Sequence, residues 1–168
     1  RYEAGAAAAL SGVQIQTIGA DGFFGAEEVS AAIPFDDVHC APATLLALEN
    51  THNVSGGRVF PQRQVEAATA LARDRGLSTH LDGARLFNAA IASDLSPATL
   101  AAPFDSVAFC LSKGLGCPVG SMVCGDEDLV ERVHRVRKML GGGMRQAGVL
   151  AAAGIYALEK QVGRLAVD

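Results

Sequence analysis

The sequence predicts an α/β layered fold, and three observations carry that expectation. Short apolar runs of strand length alternate with stretches of helical spacing along the 168 residues. Glycine and proline punctuate the boundaries between them. The composition, 49% hydrophobic and 19% charged with 19 glycines, is that of a chain able to bury one core.

Taken in order, Glu3 to Ser11 is an Ala-rich helical stretch ended by Gly12. VQIQTI, Val13 to Ile18, alternates as a strand does, and GADGFF follows as a turn. Ala26 to Ile33 is a short helix stopped by Pro34. Thr44 to Asn50 is a continuous apolar run, expected of a buried parallel strand, and THNVSGGR is a loop. Gln62 to Arg75 places Val65, Ala68, Leu71 and Ala72 on one helical face, with Gly76 as its cap. LSTHLDG is a strand ending at Asp82-Gly83; short helices follow at Leu86 to Ala92 and Pro97 to Ala101. Asp105 to Ser112 is a second buried strand, and Gly120 to Gly125 a short one. Asp126 starts a helix through about Leu140, Gly141 to Gly143 break it, and a last helix runs from about Met144 onward with no stop signal.

The bulk numbers exclude several functions. A formal charge of −4, without basic runs interleaved with aromatics, argues against a nucleic-acid binder. No uninterrupted apolar stretch reaches membrane-spanning length, and Arg1-Tyr2-Glu3 opens no signal peptide. The four cysteines form no CxxC pair and have no histidines at zinc spacing, so no metal is expected. Reduced thiols in a cytoplasmic protein follow, and the three near Lys113 (Cys110, Cys117, Cys124) are expected as small buried residues. The missing initiator Met and unfinished last helix are expected of an internal piece of a longer protein.

In open α/β sheets, ligands bind outside the carboxyl ends of the strands. Three polar motifs fall at such ends: Glu49-Asn50-Thr51-His52-Asn53, Asp82-Gly83-Ala84-Arg85 and Ser112-Lys113-Gly114. Singly, Asp-Gly is ordinarily a turn and a lysine before glycine a loop charge. Together, an amine and a carboxylate facing one crevice suit pyridoxal phosphate. The amine forms a Schiff base with its aldehyde, and the carboxylate keeps its pyridine nitrogen protonated. The turn Gly141 to Gly143 with Arg145 has the composition of an anion cradle, although no P-loop pattern is present.

The long motifs HLDGARLFNA, DSVAFCLSKGLGCPVGS and RKMLGGGMRQAG, with LENTHN upstream, resemble the low-specificity threonine aldolases, a family of fold type I pyridoxal-phosphate enzymes. The resemblance is collinear from Arg1 to about Arg164. It implies a mainly parallel sheet flanked by helices, and cleavage of L-threonine or L-allo-threonine to glycine and acetaldehyde. It gives Lys113 the Schiff base, Asp82 the pyridine nitrogen and Arg85 a place beside cofactor and substrate carboxylate. It sets His39 near the substrate hydroxyl as a base. His52 is expected near the site without an assigned step, His80 beside it in a packing role, and His134 on a helix surface. The family's phosphate cup and stacking histidine would lie upstream of Arg1, and its small domain, with a substrate-binding arginine, beyond Asp168. Residues 1–168 are therefore expected to form an incomplete large domain, homotetrameric at full length.

Overall fold

A computed structural model describes residues 3–168; Arg1 and Tyr2, on which the N-terminal reading opens, lie outside the described residues. A 3-10 turn at Glu3–Gly5 leads into α1 (Ala6–Ser11), which Gly12 closes at φ 64°. Left-handed backbone of this kind costs glycine nothing. Then come α2 (Ala26–Ala32), β1 (Leu45–Glu49), α3 (Gln62–Asp74), β2 (Ser78–Asp82), α4 (Leu86–Ser93) and α5 (Pro97–Ala101). β3 (Ser106–Cys110), β4 (Ser121–Cys124), α6 (Glu127–Met139) and α7 (Gly148–Lys160) complete the chain, with a 3-10 turn at Val162–Val167.

The four strands pair in the order β1-β2-β3-β4, the first three parallel and β4 antiparallel to β3. The predicted α/β class with a mainly parallel sheet is thus observed. Leu46, Leu48, Thr79, Leu81 and Val107 share one buried face. Val65, Ala68 and Ala72 of α3, Val29 of α2, and Leu86, Ala89 and Ala90 of α4 complete that core. Phe60 is 1% exposed and meets Phe23 and Phe24 edge-on at centroid distances of 4.8 and 5.2 Å. A second cluster joins Leu111, Leu115 and Cys117 to Ala157 of α7 and to Leu165.

The amino ends of β2 and β3 are locked by a reciprocal contact. The Thr79 hydroxyl donates to Asp105 Oδ2 at 2.9 Å and accepts the Asp105 N–H at 3.0 Å, while Thr79 N–H donates to Oδ2 at 2.7 Å. Arg73 reaches the same carboxylate and the Pro103 carbonyl, tying α3 to the lock. These hydrogen bonds, the Thr79 backbone bond first, hold the Asp105 carboxyl below its usual range.

Five expectations need correction. Residues 13–18 form no strand: Val13 and Ile15 are exposed, and no strand among the described residues supplies a ladder. β1 is parallel as expected, but the sheet face that carries Leu45 and Ala47 has no helix packed over it, so only Leu46 and Leu48 are buried and Leu45 is 54% exposed. Of the cysteines near Lys113, Cys117 is buried and Cys110 half-buried, but Cys124 is exposed on the outer strand β4. α7 starts at Gly148, not near Met144, since residues 144–147 stay open and no side chain caps an earlier start. It also stops at Lys160, after which the chain tightens into the 3-10 turn around Gly163.

Candidate active site

Backbone pairing decides which motifs meet. Glu49 is in register with Asp82, and Asp82 with Ala108. The ladder continues past the strand ends: Asn50 N–H donates to the Asp82 carbonyl at 3.0 Å, and Gly83 N–H to Ala108 at 2.7 Å. The ENTHN, DGAR and SKG motifs therefore follow neighbouring parallel strands and emerge at one edge of the sheet, as their positions in the sequence predict.

Asp82 shares a sheet face with Glu49, His80 and Ala108, the face opposite the buried core. Its Oδ1 accepts the Ala84 N–H at 3.1 Å, which orients the carboxylate and leaves Oδ2 without a partner among the described residues. The DGAR turn has little slack. A Cβ on Gly83 would stand 3.0 Å from the Ala108 carbonyl oxygen and 3.1 Å from Leu86 Cβ. Arg85 caps the start of α4 and is half-buried. His80 Nδ1 lies 2.8 Å from Ser106 Oγ, and burial holds its imidazole below the usual range against the opposing pull of Asp82.

Lys113 sits in a turn whose flanks are buried and whose tip is open. Leu111, Leu115 and Cys117 are 7%, 4% and 8% exposed, whereas Lys113 itself is exposed. Cys117 N–H donates to the Leu111 carbonyl at 3.1 Å and Gly116 N–H to Lys113 at 2.8 Å, closing the turn. Apolar anchors thus fix the backbone while the amine remains outside the core. Arg164 was not singled out by any sequence signal, yet its Nη2 donates to the Gly114 carbonyl at 3.0 Å.

His52 lies at the end of β1, its Nε2 3.9 Å from Glu49 Oε2. Its Nδ1 accepts the Ser55 N–H at 3.3 Å, and its ring packs so closely on Gly22 that a Cβ there would collide with it. His39 is elsewhere. It stands 85% exposed on a turn, its Nδ1 3.0 Å from Asp37 Oδ1. Its neighbours Asp37 and Cys40 line a groove of about 690 Å³ with Ala43 and Leu77, the residues leading into β1 and β2. That groove is at the amino ends of the strands, so Lys113 and Asp82 are brought to one edge and His39 is not. His134 is exposed on α6. Gly142 N–H donates to the Arg137 carbonyl at 2.8 Å, so the glycine run terminates α6, and Arg145 beyond it is exposed.

Comparison with known proteins agrees with the motif reading. The model of the beta-eliminating lyase family matches residues 1–168. The low-specificity L-threonine aldolase of Escherichia coli K12 is 48% identical over 99% of this chain and 50% of its own length. Low-specificity L-threonine aldolase 1 of Arabidopsis thaliana is 43% identical over 99% of the chain and 48% of its own. The solved Leishmania major threonine aldolase superposes with a TM-score of 0.83 at 22% identity, over 98% of this chain and 49% of that one. The chain spans about half the length of the curated relatives it matches. With its whole length matched by the family model, the chain belongs to the beta-eliminating lyase family.

Proposed function

We propose that the full-length protein is a pyridoxal-phosphate enzyme that cleaves L-threonine or L-allo-threonine to glycine and acetaldehyde. The observation that carries this reading is the juxtaposition of an exposed amine, Lys113, with the Asp82 carboxylate at the carboxyl ends of adjacent parallel strands. That donor set fits the cofactor, because the amine is open to an aldehyde and Asp82 Oδ2, without a partner among the described residues, could hold a ring N–H. When bound, pyridoxal phosphate supplies an aldehyde that takes up amines and a pyridinium that withdraws electrons from the bond to be broken.

The chain's residues do the rest. Lys113 would hold the cofactor through its aldehyde, its amine being the nucleophile the turn presents. Asp82 would hold the ring nitrogen in its protonated form through its second carboxylate oxygen. Arg85, fixed at the start of α4, binds the substrate carboxylate. His39 carries the hydroxyl-proton role by resemblance alone. It lies at the far strand ends, and undiminished turnover in His39→Ala would pass that role to another base. The four free cysteines, Cys40, Cys110, Cys117 and Cys124, fit a cytoplasmic compartment, and the oligomer of this reading is a homotetramer.

Product analysis tests the reaction. The full-length protein with cofactor and L-threonine should release equal amounts of glycine and acetaldehyde. Release of ammonia and a 2-oxo acid would replace this reading with β-elimination, the chemistry named in the family description.

A further inference from the structure

We propose that Arg164 is a positioning residue for Lys113, acting through the Gly114 carbonyl. The inference rests on the reading of Lys113 as the amine that takes up the cofactor aldehyde. Lys113 is exposed and has no ion-pair partner among the described residues, so its backbone decides where the amine starts from. The next residue, Gly114, lies in a slot between α4 and the 3-10 turn at Val162–Val167. A Cβ there would stand 2.7 Å from Leu165 Cδ2, 3.3 Å from Asp168 Oδ2 and 3.4 Å from Asn88 Nδ2.

Arg164 closes that slot with a guanidinium held on three sides. Its Nε donates to Gln161 Oε1 at 3.0 Å, its Nη1 to Asp168 Oδ1 at 3.4 Å and its Nη2 to the Gly114 carbonyl at 3.0 Å. Two of these bonds orient the fork, and the third spends it on the turn. A planar donor set of this kind does what a lysine ammonium cannot. Leu165 is buried beneath it in the cluster that holds Leu111 and Leu115, so the clamp stands on a packed base. The device spans 50 residues of chain, from the turn after β3 to the segment after α7. It acts on pre-organisation: the amine is presented from a fixed backbone and avoids a search among turn conformers.

The test uses the full-length protein stripped of cofactor. Pyridoxal phosphate is added, samples are quenched with borohydride at successive times, and the modified peptide is quantified below every variant's melting transition. Arg164→Ala should modify Lys113 about tenfold more slowly, the effect of losing one charged hydrogen bond. Arg164→Lys should recover part of the rate. Gly114→Ala, which leaves Arg164 intact but fills the slot, should slow it too and carries the test if Arg164→Ala does not fold. Modification of Lys113 at the wild-type rate in the folded variants, with only the melting temperature lowered, overturns the positioning role alone. A wild-type label elsewhere than Lys113 overturns the functional reading and this role with it.

Discussion

Lys113 and Asp82 differ from the other charged side chains in how little of their environment is their own. Each is carried on backbone fixed by neighbours: Asp82 by the strand ladder and the tight Gly83 turn, Lys113 by buried Leu111, Leu115 and Cys117. Replacing Asp82 by Ala in the full-length protein should leave Lys113 able to take up cofactor while lowering turnover about a hundredfold or more, because the countercharge to the ring is lost. Steady-state kinetics beside cofactor absorbance checks both halves. A different residue contributes to acid stability. Asp105 is held low by Thr79, so the native state favours its ionised form. The stabilisation is present above its unfolded value, near pH 4, and is lost as pH falls through the lower folded value. Thr79→Val removes the hydroxyl but keeps the backbone N–H bond to Asp105, so it should cost about 1 kcal/mol near neutrality and flatten the acid limb of the stability curve only in part, as denaturant titration at several pH values would reveal. An unchanged acid limb would mean that the Thr79 hydroxyl adds nothing to the backbone bond.

Among the elements, those the sequence specified best are bounded by local chemistry. α3 has its buried stripe and its glycine stop, α5 its Ser96 cap with proline at the first position, and α6 its Asp126 cap. The misread elements depended on partners that local pattern does not encode. Alternation in Val13 to Ile18 fits a half-buried strand, but a strand needs a ladder, and none lies beside it. The apolar run in β1 reads as burial on both faces, whereas the uncovered face of the sheet leaves Leu45 open. The site divides in the same way. Motifs at strand ends were legible because strand direction fixes their edge. The edge at which His39 stands was not legible, since residues 34–44 contain no regular element to fix which edge the turn approaches. Arg164 was invisible for want of any motif. The loop leaving β1 offers an element-scale check. Phe60 anchors it against Phe23 and Phe24, and its N–H bonds the buried Asn50 Oδ1 at 3.1 Å. Phe60→Ala should cost about 3–5 kcal/mol and loosen the ENTHN loop, read as lost hydrogen-exchange protection at residues 50–60.

At the scale of the whole molecule, the sheet is covered on one side only. Helices α2, α3 and α4 pack on the face of Leu46, Leu81 and Val107, while Leu45, Ala47, Ser78 and Asp82 on the other face are exposed. α6 buries none of its residues and shows Val130, Val136 and Met139 to solvent. Uncovered apolar surface is unfavourable by roughly 25 cal/mol per Å². Residues 1–168 expressed alone should therefore self-associate, whereas a monodisperse monomer in sedimentation would contradict that expectation. The same segment should show no sustained cleavage of L-threonine beside a full-length control. The central claim is narrower than either: one amine, on the turn after β3, takes up the cofactor. Lys113, Lys138 and Lys160 are the lysines available in this sequence. Borohydride reduction of the cofactor-loaded full-length protein, followed by peptide mapping, should place the reduced pyridoxyl group on Lys113. A label on Lys138 or Lys160, with Lys113 unmodified, would contradict the account.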